Sequence, residues 1–366
     1  MIKPRYSLWI IAAAICTALG MVSLRLFDRP STEQDFGEAV VTPALQSPME
    51  RKTADDPTLL AGRQFYNDPN RAVVQAAEAA AAAGKVADAD ILRVLANQPE
   101  AIWLNGPTES DPTAEQDIAT VVRTSTAAAA LNQVALYQIY AIPNRDACAA
   151  YSKGGFATAA AYHEWLQRIS AAVQGDAVFN LEADAIAQTV IGGCVSPAQA
   201  AERYQTLRTA VTILTAQPKV LAVYLDAGHP EWIADPTQLV GALQASGVEL
   251  ARGVVVNVSN FVATDAVVPW VQQLTALLGP NKRAIIDTSR NGNGTPGPEV
   301  TDEARWCNPV GRAIGAFPTT TALPAAIDAY VWVKHVGESD GSCGGRPAAG
   351  TFMPDVAIEL VTNARR

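Results

Sequence analysis

Acidic residues at the ends of apolar runs are the side chains in this sequence that could do chemistry. The stretch AVFNLEADAIA, residues 177–187, reads as a short strand that ends on Glu182 and Asp184 and passes at once into a helix. Reacting groups gather at the carboxyl ends of parallel strands, because the loops there open onto a common mouth. A local alternative is that Asp184 only caps the helix that follows it, a role that suits aspartate. Against that stands a series. Apolar runs end successively in Trp103, Tyr140 with Asp146, Asp184, Asp226 with His229 and Trp232, Asn257 with Asn260, Asp287, and Lys334 with Glu338 and Asp340. Brought to one mouth, carboxylates, amides and indoles would suit a sugar, whose apolar faces stack on indoles and whose hydroxyls need fixed donors and acceptors. Hydrolysis of a glycosidic bond needs two carboxyl groups, one protonated beneath the leaving oxygen and one ionised to activate water or attack carbon. Close carboxylates raise one another's proton affinity, and Asp146 with Asp184 could form such a pair.

The elements that must position these residues alternate. Helical spacing over Arg71 to Ala96 gives way to AIWLNG, and a helix at about Ala114 to Leu131 precedes VALYQIYA. Further helices are predicted over Thr158 to Ala172, Pro197 to Ala216, Pro236 to Ala245 and Asp265 to Leu278. They precede the strands AVFNLEAD, VLAVYLDAGH, GVVVNVSNF and RAIIDTSRNG. A less clear stretch, AIGAF, comes before the last strand in AYVWVKHVGESDG, and a helix from Pro354 to Ala364 closes the chain. Helices alternating with apolar strands imply an α/β fold with a parallel sheet, and seven or eight units suggest a relative of the (β/α)₈ barrel.

At 366 residues, 49% apolar and 17% charged, the chain can bury a sizeable core. Its net charge of −9 argues against nucleic acid, which selects clustered Lys and Arg. Residues 7–24 (SLWIIAAAICTALGMVSL) form an uncharged run of about the 20 residues that span a bilayer, flanked by Lys3, Arg5, Arg25 and Arg29. A cleaved signal peptide is the alternative; the absence of an A-x-A site at its end favours an uncleaved signal anchor, with a transmembrane helix in residues 1–26. Residues 27–59, polar and containing Pro30, Pro43, Pro48 and Pro57, read as a flexible linker, and residues 60–366 as one catalytic domain outside the cytoplasm. Four cysteines follow the anchor: Cys148, Cys194, Cys307 and Cys343. None shows C-x-x-C spacing and the three histidines are scattered, so two disulfides are expected and no metal or other cofactor.

Seven blocks occur in order: YAIPNRDAC, LEADAIA, VYLDAGHPEW, NVSNF, IIDTSRNG, WCNPVGR and VWVKHVGESDG. From about Leu60 to the C-terminus they make the chain resemble glycoside hydrolase family 6, the cellobiohydrolase II and endoglucanase family acting on cellulose and related β-1,4-glucans. The resemblance implies a distorted seven-stranded parallel β/α barrel and inversion at the anomeric carbon. It implies Asp184 as general acid, Asp146 raising its proton affinity and organising water, and Asp340 as counterpart of the proposed base. Tyr140 would lie beside the bond to be cut, and Ser152 in the loop that places the water. Asp226, Trp232, Asn257, Asn260, Trp306, Lys334 and Glu338 match residues that hold sugars, and Trp103 and His229 at neighbouring strand ends join them as expected contacts. The resemblance also pairs Cys148 with Cys194 and Cys307 with Cys343.

The chain departs from that family at several places. Ala147 separates Asp146 from Cys148, Ala183 replaces a proline before Asp184, and His335 and Val336 stand where prolines are frequent. Trp165 and Trp270, on predicted helices, read as packing, and Arg145 as an organiser of carboxylates. Asp226 and Asp287 could instead be helix caps or partners of Arg290 and Arg312. GNGTPG at Gly292 matches the dinucleotide glycine pattern only formally, since Pro296 and Pro298 prevent a normal helix start. Short segments between the blocks leave little chain to roof a cleft, which favours endo action on a β-1,4-glucan; a monomer is expected. The alternative is a surface glucan-binding or sensing protein that has lost turnover.

Overall fold

The computed structural model describes residues 56–148 and 151–364. The signal anchor expected over residues 7–24, and residues 27–55 of the linker, lie outside them. No helix among the described residues is long and apolar enough to cross a membrane.

Seven strands lie side by side in chain order, every neighbouring pair parallel. They are β1 (Ile102–Leu104), β2 (Ala135–Ile139), β3 (Ala177–Leu181), β4 (Val220–Asp226), β5 (Gly253–Val256), β6 (Arg283–Asp287) and β7 (Ile327–Val331). Two helices, α1 (Ala72–Ala82) and α2 (Val86–Ala96), precede β1. Then α3 (Glu115–Ala130), α4 (Ala159–Ala172), and α5 (Ala187–Val190) with α6 (Pro197–Thr215) join successive strands up to β4. They are followed by α7 (Thr237–Ala245), α8 (Thr264–Leu278) and α9 (Asp302–Trp306), and α10 (Pro354–Ala364) ends the chain.

The strands are apolar on both sides because both sides are covered, the expected pattern for a parallel sheet. On the helix side Tyr137 stacks on Phe179, its register partner, at 4.9 Å, and Trp165 and Trp270 pack there as the sequence predicts. On the inner side Leu136, Val178, Tyr224, Val255, Ile285 and Val331 meet Leu59, Leu60 and Phe65, which enter ahead of α1. A third apolar cluster joins α1, α2 and α10 over Trp332.

Local sequence explains the breaks. Residues 71–96 form two helices rather than one, since Gly84 takes φ +73° and Lys85 N–H returns to the Ala80 carbonyl, the glycine stop of a helix. Helix α6 starts where Ser196 and Gln199 bond each other's backbone and Pro197 takes the first position. AIGAF is not a strand: Ala313 makes only an isolated bridge with Asn291, so the count among the described residues is seven and not eight.

The sheet curls until its edges approach, yet β1 and β7 form no ladder. Ala101 N–H instead donates to the Trp332 carbonyl at 2.8 Å, and Trp103 Nε1 to the Val333 carbonyl at 2.8 Å. This seam runs beside the mouth.

Candidate active site

Around the carboxyl ends of the strands lies a cleft of about 1360 Å³. Twelve of the residues expected there line it: Trp103, Tyr140, Asp146, Ser152, Asp184, His229, Trp232, Asn260, Trp306, Lys334, Glu338 and Asp340. Side chains up to 237 positions apart in the chain therefore share one surface, as the strand-end series predicts.

Strand β3 delivers Asp184 through a strained turn. Glu182 and Asp184 both have left-handed backbone, φ +56° and +68°, a conformation that non-glycine residues seldom adopt and that clusters at functional sites. Glu182 is fully buried and holds the turn in place. Its carboxylate accepts from Ala141 N–H, Ile142 N–H and the Tyr162 hydroxyl, tying the end of β3 to the end of β2. Asp226, at the end of β4, accepts Asp184 N–H and Gly228 N–H on one oxygen, both at 3.0 Å. Asp184 itself is only half-buried, with its side chain on the cleft. Burial and then the nearby Asp146 charge push its pKa up to about 7.

Asp146 is also left-handed, at φ +52°, and accepts Ser152 N–H at 2.6 Å, so that it closes its own loop. Ala147 does not carry it out of the site, since its N–H reaches Gln188 at 3.3 Å and the disulfide Cys148–Cys194 pins the loop to the segment after α5. Gly155 is required there, because a Cβ would lie 2.0 Å from the Ile142 carbonyl oxygen. Tyr140 meets Trp103 edge-on at 5.6 Å and lies under the Arg145 guanidinium at 4.9 Å. Burial, followed by the Asp184 and Asp146 charges, raises its pKa.

Asp340 is held differently. Arg290 reaches both of its oxygens, at 2.9 and 3.0 Å, and Lys334 Nζ lies 3.7 Å away. Asn308 donates its backbone N–H to Asp340 and accepts Asp340 N–H on its side chain. The second disulfide, Cys307–Cys343, fixes this segment against α9. Across the cleft rim Tyr151 donates to Glu303 and packs on Trp306 at 5.9 Å, while Arg305 meets Glu231 at 3.3 Å. Side chains rather than long loops thus bridge that end.

Several expectations are corrected. Asp226 and Asn257 do not line the cleft: both are buried, Asp226 under Asp184 and Asn257 donating to the Val262 and Asp287 carbonyls. Their task is to hold loops. Neither Asp226 nor Asp287 caps a helix or pairs with Arg290 or Arg312; Asp287 gathers the N–H groups of Ser259, Ser289, Val333 and Lys334. Arg145 organises carbonyls, those of Ser152, Asn105 and Tyr140, and not carboxylates. The sequence reading missed the clamp roles of Glu182 and Asn308 and the bridging by Tyr151, Glu231 and Arg305. For Glu182 a signal existed, an acid enclosed by apolar residues; for the rim pairs there was none, since they join separate loops.

The sequence profile of glycosyl hydrolases family 6 matches residues 60–364. Endoglucanase A of Cellulomonas fimi is 36% identical over 301 residues, covering 82% of this chain, which spans only 61% of that protein's length. Endoglucanase 1 of Streptomyces halstedii is 35% identical over 315 residues, 84% of this chain and 91% of that protein. The solved structure of the endoglucanase Cel6 from Mycobacterium tuberculosis, in complex with methyl-cellobiosyl-4-deoxy-4-thio-β-D-cellobioside, superposes with a TM-score of 0.75 at 40% identity. It covers 84% of this chain and 100% of that one.

Proposed function

This chain belongs to glycosyl hydrolases family 6, and from that premise we propose that it cleaves β-1,4-glucosidic bonds within a glucan by single displacement with water. The observation that carries the reading is Asp184, its pKa pushed up to about 7 by burial and by Asp146, on the lip of a cleft that also holds Asp340. Such a group keeps its proton near neutrality and can deliver it to a departing glycosidic oxygen. Asp146 sustains that affinity and, with Ser152, holds the loop that faces the water. Tyr140 and Trp103 offer an aromatic floor, and Trp232, His229, Asn260, Trp306, Lys334 and Glu338 line the walls where sugar rings would bind. Asp340, with both oxygens engaged, would take the water's proton through an intervening water and not by direct contact.

Endo action on internal bonds is the preferred mode, supported by the short segments around the cleft and by relatives that bear the name endoglucanase. The curled sheet acts as a distorted barrel left open at one seam. Residues 1–26 serve as an uncleaved signal anchor and residues 27–59 as a tether, placing a monomeric catalytic domain outside the cytoplasm. Membrane fractionation with external protease would test the anchor.

Soluble carboxymethyl cellulose tests the activity. We expect its viscosity to fall faster than reducing ends accumulate, and cellooligosaccharide products to appear first as the α-anomer by proton NMR. Initial β-anomer would sink the single-displacement mechanism. Binding without release of reducing sugar would replace the enzyme with a glucan-sensing protein.

A further inference from the structure

His335 follows β7 between the cleft residues Lys334 and Glu338, and the mechanism above gives it no task. Its ring lies between two acceptors on opposite sides of the seam. Nδ1 is 2.8 Å from a carboxylate oxygen of Glu338, and Nε2 is 2.8 Å from the carbonyl of Ala101, just ahead of β1. A neutral imidazole has one N–H and can satisfy one of these oxygens; the imidazolium satisfies both.

The charged surroundings agree. Glu338 faces the ring from its own segment. From the approach to β1 comes Glu100, which accepts Val336 N–H at 2.9 Å and pairs with Arg71 at 2.6 Å. Lys334, Arg290 and Asp340 lie on the cleft side. Burial opposes a charge on His335, but Glu338 and Glu100 outweigh it and push the pKa up to about 9. Burial likewise opposes charge on Glu338, and His335, Lys334 and Arg290 together hold its pKa below the usual carboxylate range.

The bridge matters because of where it sits. With no ladder between β1 and β7, the seam depends on isolated bonds: Ala101 to Trp332, Trp103 to Val333, Val336 to Glu100, and His335 to Ala101. Trp103 and Glu338 both face the cleft. The geometry points to His335 as a positioning residue for glucan binding: its imidazolium locks the Glu338 carboxylate and the β1 edge carrying Trp103 into one wall. This role rests on the reading of the cleft as a glucan site. Because the folded value lies above the ordinary value of about 6.5, the bridge is fully present below that pH and is lost as pH rises through about 9.

Two experiments decide it. First, the chain has three histidines, so proton–carbon NMR of the wild type, with His335→Gln for assignment, reads the His335 titration directly. A midpoint near pH 9 is expected; one near the ordinary value of about 6.5 overturns the bridge. Second, calorimetric binding of cellotetraose should weaken roughly tenfold in His335→Gln at pH 7.5, as loss of a charge-assisted bond would do. The wild type should lose affinity between about pH 8 and 10, while His335→Arg, a fixed cation that can donate to both oxygens, should retain it. Equal affinity of wild type and a folded His335→Gln variant overturns the role. Should that variant fail to fold, the wild-type NMR titration and pH dependence of binding still decide. A wild type that binds no cellotetraose at any pH overturns both this role and the glucan reading beneath it, whereas failure of the variants alone overturns only the role.

Discussion

The two walls of the cleft hold the same kind of side chain in opposite electrical surroundings. On the wall built after β2, β3 and β4, Asp146, Asp184 and Asp226 crowd together, and among the described residues no arginine, lysine or histidine pairs with them. Burial and the neighbouring carboxylates raise the proton affinity of Asp184 and of Asp226. On the wall built after β6 and β7, both cleft carboxylates that follow β7 have a cation: Arg290 and Lys334 at Asp340, His335 at Glu338. The histidines follow suit, since burial lowers His229 to about 4 while the acids around His335 push it up to about 9. Surroundings, not side-chain type, separate a proton donor from a proton acceptor, and here they differ wall by wall.

The comparison can be broken most forcefully at its acid. Asp184→Asn has no proton of comparable acidity to give, and kcat on carboxymethyl cellulose should fall by roughly 10³-fold while cellooligosaccharide binding survives. Retained turnover would move the acid elsewhere on that wall. Next comes the paired wall. Arg290→Met strands the Asp340 carboxylate, whose side chain is only 8% exposed, and should cost about 3 kcal/mol in urea denaturation. A loss below about 1 kcal/mol would mean that Lys334 or solvent compensates and the walls are less distinct than they look.

Asp146→Asn sharpens the contrast with a smaller effect. It removes the like charge but leaves burial, so the pKa of Asp184 should fall by roughly one unit from about 7. An acid must hold its proton, so the alkaline limb of kcat/KM should move to lower pH by that amount. An unmoved limb would show that burial alone sets the value.

Much of this architecture was legible before any fold was known. Apolar runs marked the strands because a parallel sheet is covered on both sides, and Pro, Ser, Thr and Gly marked where helices began and stopped. AIGAF misled because a short apolar run carries no information about whether a neighbour is free to pair with it. Asp226 and Asn257 misled for another reason: a polar residue at a strand end looks the same whether it faces the cleft or turns back under a loop. At Asn257 left-handed backbone decides that orientation, and the same conformation occurs at Asp146, Glu182, Asp184 and Asn308. It is imposed by contacts between loops.

By itself the sequence determined the alternation of elements, the acids at strand ends and the cysteines available for bonding, all of which depend on near neighbours and side-chain periodicity. Only the tertiary structure decided which acid would be paired and which left alone, and that a histidine 234 positions from Ala101 would close the seam. Coulomb energy and hydrogen bonding depend on separation in space and on exclusion of water, and neither quantity exists until the sheet has curled.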